Sequence, residues 1–222
     1  MTKSIILLSG GLDSLVSFGL KKEELNIQLA ITFDYGQKSA QKEIAAAQKI
    51  CQYYGIEHKV IKLDFLKEIT RTSLVSDNNI PTGKELDDPQ ESAKSVWVPN
   101  RNGLFLNIAG SYADSYGYDY IVIGANKEEG QTFPDNTEEF INAVNKEFEY
   151  STMTKTKVVA PLINCDKNDI VMLALKNNIP LEYTRRCYQS GDKNCGMCES
   201  CTRLKKALLN NHDEKYIKIL FE

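Results

Sequence analysis

The chain has 222 residues, 42% of them hydrophobic, and a formal net charge of -3, which suits one full-sized α/β domain with room for a small appended module. No apolar run approaches the roughly 20 residues of a membrane-spanning helix, and Met1-Thr2-Lys3 leads straight into a strand-like segment, so neither a membrane span nor a secretory signal is expected. The slightly acidic balance lacks the clustered Lys and Arg excess of tight phosphate-backbone binders, so no direct contact with nucleic acid is expected.

Ser4 to Leu8 reads as a short apolar strand, followed by a helix from Leu12 to Leu20. Gln28 to Phe33 is a second strand. Lys38 to Tyr54 is helical, with Ala40, Ile44, Ala47 and Cys51 on one face and Gly55 as its C-terminal stop. A third strand, His58 to Leu63, precedes a long excursion from Asp64 to Arg101 that holds three prolines and no sustained period beyond a little helix at its start. Leu104, Phe105, Ile108, Ala109, Tyr112, Ala113 and Tyr116 then mark an amphipathic helix closed by Gly117, and Tyr120 to Asn126 a strand. A helix around Phe140 to Phe148, a strand from Lys157 to Pro161 and a helix from Asp166 to Asn177, with Asp166 as N-cap, complete the alternation. There is no internal repeat. Strands alternating with helices predict a doubly wound, mainly parallel sheet, with ligands beyond the carboxyl ends of its strands.

At the first such end stands "SGGLDS", Ser9 to Ser14. Gly10 and Gly11 permit backbone angles closed to other residues and leave no side chain in the way, so consecutive N–H groups can face an anion at a helix N-terminus. Ser9 and Ser14 can add hydroxyl donors, while anionic Asp13 belongs beside a phosphate chiefly when Mg²⁺ intervenes. The alternative is an ordinary βα turn with Asp13 as N-cap. The string is neither G-x-G-x-x-G nor a Walker loop.

Near the C-terminus "CYQSGDKNCGMCESC" gives the spacing C-x7-C-x2-C-x2-C through Cys187, Cys195, Cys198 and Cys201. Short C-x2-C steps let thiolates converge on one ion, and four sulfur ligands make a closed structural zinc site without an open position for water. An iron–sulfur cluster, disulfides or redox thiols are the alternatives. Cys51 and Cys165 read as packing residues.

"SGGLDS" after a first strand resembles the PP-loop of the ATP pyrophosphatase superfamily, whose members split ATP between its α and β phosphates and adenylate a substrate oxygen. "FDYGQK" (Phe33 to Lys38), "VPNRNGLFL" (Val98 to Leu106), "GANKEEGQTFPDNTEEF" (Gly124 to Phe140) and the cysteine string extend the likeness. Together, and in order over nearly the whole chain, they resemble the 7-cyano-7-deazaguanine synthase family of the queuosine and archaeosine pathways.

The resemblance implies an adenine nucleotide alpha hydrolase-like domain over 1–182 and a zinc-binding helical module over 183–222, packed on the same domain. It implies that 7-carboxy-7-deazaguanine, ammonia and two ATP, with Mg²⁺, give 7-cyano-7-deazaguanine through adenylated carboxylate and amide intermediates. The nucleotide-binding segment maps to Leu8, Ser9, Gly10, Gly11, Leu12, Asp13, Ser14, Leu15, Val16, Ser17 and Phe18, and the zinc ligands to Cys187, Cys195, Cys198 and Cys201. Asp34, Tyr35, Gln37, Arg101, Asn102 and Asp135 match family motifs at strand or helix ends, where they would line the substrate pocket, with Asp34, Tyr35 and Gln37 among the nucleotide-binding residues; Asp13, Ser14, Arg101 and Asp135 would carry the chemistry. Plainer roles are open to some of them: Asn100 or Asn102 as a helix cap, Arg101 as the partner of a surface carboxylate, Asp135 as a turn residue. A cytoplasmic homodimer is the expected setting. Two departures stand out: "EEGQTFPDN" (Glu128 to Asn136) where many members read close to "DYSGYPDC", and "YTRRCY" (Tyr183 to Tyr188), which places two positive charges beside the ligand Cys187. A PP-loop enzyme that adenylates another acceptor, such as a tRNA base or a protein, and an inactive nucleotide-binding module are the rival readings.

Overall fold

The computed structural model describes residues 2–75, 96–185 and 194–221. In chain order the elements are β1 (Ser4–Leu7), α1 (Leu12–Lys21), β2 (Ile27–Asp34), α2 (Ala40–Tyr54), β3 (Glu57–Lys62), α3 (Asp64–Ile69), α4 (Arg101–Tyr116), β4 (Tyr120–Val122) and α5 (Lys127–Gly130). A 3₁₀ turn (Pro134–Asn136), α6 (Glu138–Ser151), β5 (Lys157–Val159), α7 (Lys167–Lys176), a further 3₁₀ turn (Leu181–Tyr183), α8 (Glu199–Asn210) and α9 (Glu214–Phe221) follow. The strands form one sheet in the order β3-β2-β1-β4-β5, and every neighbouring pair is parallel.

β1 sits at the centre and shows how the sheet is wound. Its residues alternate between faces, as a pleated strand requires: Ile6 joins a core built with α1, α2 and α7, whereas Ile5 and Leu7 join a second core built with α4 and α6. Each face is covered by helices whose apolar stripes match it, through Leu15, Ile50 and Ile170 on one side and Leu106, Val144 and Phe148 on the other. The C-terminal helices belong to the first core, because Leu204 and Leu208 of α8 and Ile217 and Leu220 of α9 share it with Phe18 and Val171.

Helix ends follow their sequence signals. Gly55 closes α2 and Gly117 closes α4, both in the left-handed region that suits glycine. Asp166 caps α7 in a reciprocal box with Asp169, at 2.9 and 3.1 Å. Two strands are shorter than expected. β4 stops at Val122 because the chain turns at Gly124 against the start of α1, where a side chain's Cβ would stand 2.8 Å from the Ser14 nitrogen. β5 stops at Val159, since Ala160 opens a turn that receives the Ile163 N–H at 3.2 Å. Of the Asp64 to Arg101 excursion, α3 is the helix expected at its start, and 76–95 lie outside the described residues.

The strand order reverses between β1 and β4, and this switch point opens a crevice at the carboxyl ends of the strands.

Candidate active site

The crevice is a cavity of about 340 Å³ whose two ends differ in chemistry. One end is the turn after β1. Gly10 is left-handed there (φ 76°), and a Cβ on it would lie 2.8 Å from both the Glu43 carbonyl oxygen and the Ala46 Cβ, so α2 packs directly on the turn. Gly11, at the N-cap of α1, has an extended backbone, so only the first glycine of the pair uses the conformation closed to other residues. The Ser9 hydroxyl accepts the Gly11 N–H at 3.3 Å and lies 3.2 Å from the Ser14 hydroxyl, which holds the turn open toward the cavity.

Asp13 is not the helix cap. Its Oδ1 accepts from Lys167 Nζ at 2.6 Å, and both side chains are buried. Glu129 stands 3.6 Å from the same ammonium. Burial pulls the Lys167 ammonium below the usual lysine range, with Glu129 and Glu128 opposing the shift. Arg185 also lines this end, and its backbone N–H donates to the Gly10 carbonyl at 2.8 Å. Arg203 and Ser200 reach the cavity wall from α8.

The other end is aromatic and carries buried polar groups. Arg101, at the start of α4, donates to the Tyr35 hydroxyl at 3.5 Å. Burial opposes the Arg101 charge, but Tyr35 and Asp135 outweigh it and hold the guanidinium protonated. Asp135, in the 3₁₀ turn, accepts from the Asn102 N–H (3.3 Å) and the Asn136 side chain (3.0 Å). Asn102 returns a bond to the Asp135 carbonyl at 3.0 Å. Burial raises the Asp135 carboxyl above its ordinary value, with Arg101 pulling the other way. Asn102 therefore ties α4 to the 3₁₀ turn, and the N-cap position is held by Asn100, in the left-handed region. Trp97 and Phe133 stack at 5.7 Å between centroids, and Phe33 stacks on Phe105 at 4.0 Å; all four rings line the cavity.

Between the ends, Gln37 binds the turn after β2. It accepts the Tyr35 N–H (2.9 Å) and donates to the Phe33 carbonyl (3.1 Å) and to Glu43 (3.0 Å), which also accepts from the Ser39 hydroxyl at 2.6 Å. Burial raises the Glu43 carboxyl despite these two donors.

Leu8, Ser9, Gly11, Asp13, Ser14, Tyr35, Gln37, Arg101, Asn102 and Asp135 all line the one cavity. Gly10, Leu12, Leu15, Val16, Ser17, Phe18 and Asp34 do not. Leu12, Leu15, Val16 and Phe18 pack in the core, and the Asp34 carboxylate closes its own turn by accepting the Gly36 N–H at 3.1 Å. Sequence reading missed Lys167, Glu43, Glu129, Trp97 and Phe133. A signal existed for Lys167: it follows the Asp166 cap in the connection after β5, at the active edge of a parallel sheet.

The Sγ atoms of Cys195, Cys198 and Cys201 lie within 4.8 Å of one another, a thiol cluster able to hold a metal ion. Gly196 takes the left-handed turn between the first two, and Cys198 opens α8. Cys187 lies outside the described residues. Cys51 is buried in the core, where burial pushes its thiol up to about 12, and Cys165 packs partly against the same core. No helix among the described residues is long and apolar enough to cross a membrane.

Comparison with known proteins agrees with this architecture. The chain is 50% identical over 217 residues to a 7-cyano-7-deazaguanine synthase of Methanosarcina mazei, covering 94% of each chain. It is 49% identical to one of Carboxydothermus hydrogenoformans, covering 93% of this chain and 98% of that one. Among solved structures, the U34-tRNA thiolase NcsA from Methanococcus maripaludis, with its 4Fe–4S cluster, superposes with a TM-score of 0.53. At 19% identity, covering 99% of this chain and 69% of that one, it supports the fold alone. The family described as queuosine biosynthesis protein QueC matches residues 3–212. With that span and identities near one half, the chain belongs to this family.

Proposed function

We propose that the chain makes 7-cyano-7-deazaguanine from 7-carboxy-7-deazaguanine and ammonia with two ATP. The observation that carries this reading is that the SGGLDS turn and the side chains of Arg101 and Asp135 line the same cavity.

A carboxylate oxygen is a poor leaving group. Its attack on the α-phosphorus of ATP releases pyrophosphate and makes that oxygen part of an adenylate; ammonia then displaces AMP and leaves the amide. Adenylation of the amide oxygen by the second ATP, followed by loss of AMP and a proton, gives the nitrile. Both activations call for positioning and for neutralisation of phosphate charge. The Ser9 to Ser14 turn, at the positive end of α1, is the phosphate cradle in this reading, with Lys167 and Arg185 as cationic partners. Asp13, an oxygen donor beside that cradle, and the phosphates themselves would hold the accompanying Mg²⁺.

The deazaguanine takes the aromatic end. Its flat ring fits against Trp97 and Phe133, its amino and N–H edge suits the Asp135 carboxylate, and its own carboxylate suits the fork of Arg101. Zinc is the proposed ion of the thiolate cluster, held by Cys195, Cys198 and Cys201 with Cys187 as fourth ligand. Bound there it supplies structure, because four sulfurs leave no open position for chemistry. The proposed organisation is the ATP-binding domain over 1–182 with the cysteine module over 183–222, working as a cytoplasmic homodimer.

The test is incubation with ATP, Mg²⁺, ammonium and 7-carboxy-7-deazaguanine, with base and nucleotide followed by mass spectrometry. The nitrile is expected together with AMP and pyrophosphate. A base left unchanged by protein that binds ATP would assign the site to another acceptor.

A further inference from the structure

The variant stretch Glu128 to Asn136 contributes an acidic side chain that lies between the cysteine module and the phosphate end. Glu128 belongs to α5, a short helix fixed at its N-terminal end: the Asn126 side chain accepts the Glu129 N–H at 3.1 Å, and the Lys127 N–H donates to the Cys165 carbonyl at 3.1 Å. Two different elements meet its carboxylate. Oε1 accepts the backbone N–H of Lys167 at 2.9 Å. Oε2 stands 3.5 Å from Nη1 of Arg203.

The first contact satisfies one of the orphan donors at the N-terminus of α7 and places a negative charge at the positive end of that helix. The Asp166–Asp169 box already serves other donors of this turn, so Glu128 is a second, tertiary cap on the residue whose ammonium binds Asp13. The second contact reaches α8, which carries Cys198 and Cys201 at its start and Arg203 on its next turn. One carboxylate thus touches both the helix of the thiol cluster and the backbone that fixes Lys167.

We infer that Glu128 is a positioning residue for the nucleotide site: it couples the cysteine-bearing helix to Lys167 and sets where the Lys167 ammonium stands against Asp13. The inference rests on the reading that Asp13 and Lys167 mark the phosphate end of an ATP site. Its consequence is selective. A disturbance of Glu128 or Arg203 acts on ATP through their side-chain contacts with α7 and α8, whereas the deazaguanine end is fixed by Asn102 on Asp135 and joins α5 through a backbone bond, the Phe133 N–H on the Glu129 carbonyl at 2.7 Å, that these side-chain substitutions leave in place.

The experiment is calorimetric titration of the full chain and its variants with MgATP, accompanied by the KM of each substrate. Glu128→Ala is expected to weaken MgATP about tenfold, and Glu128→Gln, which keeps an acceptor for the Lys167 N–H, about threefold, the size of a lost or weakened cap. Arg203→Ala should cost about threefold alone and add little to Glu128→Ala, because the two act through one carboxylate. The KM of the carboxylated base should stay within about twofold throughout, since it reads the other end. Wild-type MgATP affinity in folded Glu128→Ala, a parallel rise in both KM values, or independent multiplication of the two effects would overturn the coupling. Should Glu128→Ala not fold, wild-type affinity in Arg203→Ala together with Glu128→Gln overturns it equally. Binding is read directly, so unaltered protein that takes MgATP without forming nitrile defeats the assigned reaction alone, while unaltered protein that takes no MgATP defeats both.

Discussion

The two ends of the cavity are built in opposite ways. The proposed phosphate end begins with six consecutive residues, Ser9 to Ser14, whose backbone and helix dipole are fixed by one tight turn, and Lys167, Arg185 and Arg203 complete it around this nucleus. The deazaguanine end has no such nucleus. Tyr35, Trp97, Arg101, Phe133 and Asp135 come from three separate stretches and meet only because β2, α4 and the 3₁₀ turn converge. A phosphate needs N–H groups and positive charge, which local backbone can supply. Recognition of a particular flat heterocycle needs a shaped set of rings and oriented polar atoms, which only tertiary structure can assemble.

Breaking the phosphate end should have the largest effect. Asp13→Ala removes the partner of a buried ammonium as well as an oxygen donor to the proposed Mg²⁺. Turnover should fall by about 10²–10³ or more, and loss of the nearer carboxylate, with Glu129 left 3.6 Å from the ammonium, should lower stability by about 1.5–3 kcal/mol. Steady-state kinetics with a denaturant titration measures both. Retained activity would show that Asp13 has no part in handling ATP.

Breaking the other end should separate the substrates. Asp135→Asn is expected to raise the KM of the carboxylated base about 10- to 100-fold, with the KM for ATP unchanged, as befits a lost charge-assisted hydrogen bond. Asp135 gives the base charge-assisted acceptors only when ionised, and burial holds its carboxyl above the ordinary 3.8. Base affinity should therefore weaken on acidification, as pH falls through that raised value, and the Asn variant should lose this dependence. Equal pH profiles for the two proteins would remove Asp135 from base recognition.

Metal loss probes the region behind the phosphate end. Cys198→Ser should reduce bound zinc below about one ion per chain and lower the thermal midpoint by about 5 °C or more. Elemental analysis and a melting curve decide this, and a brown, visible-absorbing wild-type protein would replace zinc by iron–sulfur. The smallest effect is expected for Trp97→Ala, about three- to tenfold in the KM of the base, the value of one aromatic stack. A change in the KM for ATP instead would put the ring at the wrong end.

Sequence made the first end legible and left much of the second obscure, for the same physical reason. A local motif carries its geometry with it, so Ser9, Asp13 and Ser14 could be placed before any fold was known. The α/β alternation was equally plain, since apolar periods of two and 3.6 and the stops at Gly55 and Gly117 are local properties. Lys167 was hidden because its partner Asp13 lies 154 residues away, and a lysine after a helix cap ordinarily points to solvent. Glu43 was hidden by its place on an otherwise polar stretch of α2. Trp97 and Phe133 acquire meaning only through each other. The family resemblance supplied Arg101 and Asp135, yet their pairing with Tyr35 and Asn102 required the tertiary structure.

The central position of β1 also governs when the site can exist during synthesis. β1 leaves the ribosome early, but its neighbour β4 begins at Tyr120, and the cavity wall is completed only by Lys167, Arg185 and Arg203. The glycine turn is therefore made well before the residues that close its pocket. A nascent chain halted before Arg203 carries the Ser9 to Ser14 turn but no finished pocket, so the cavity is a late acquisition in the life of each molecule.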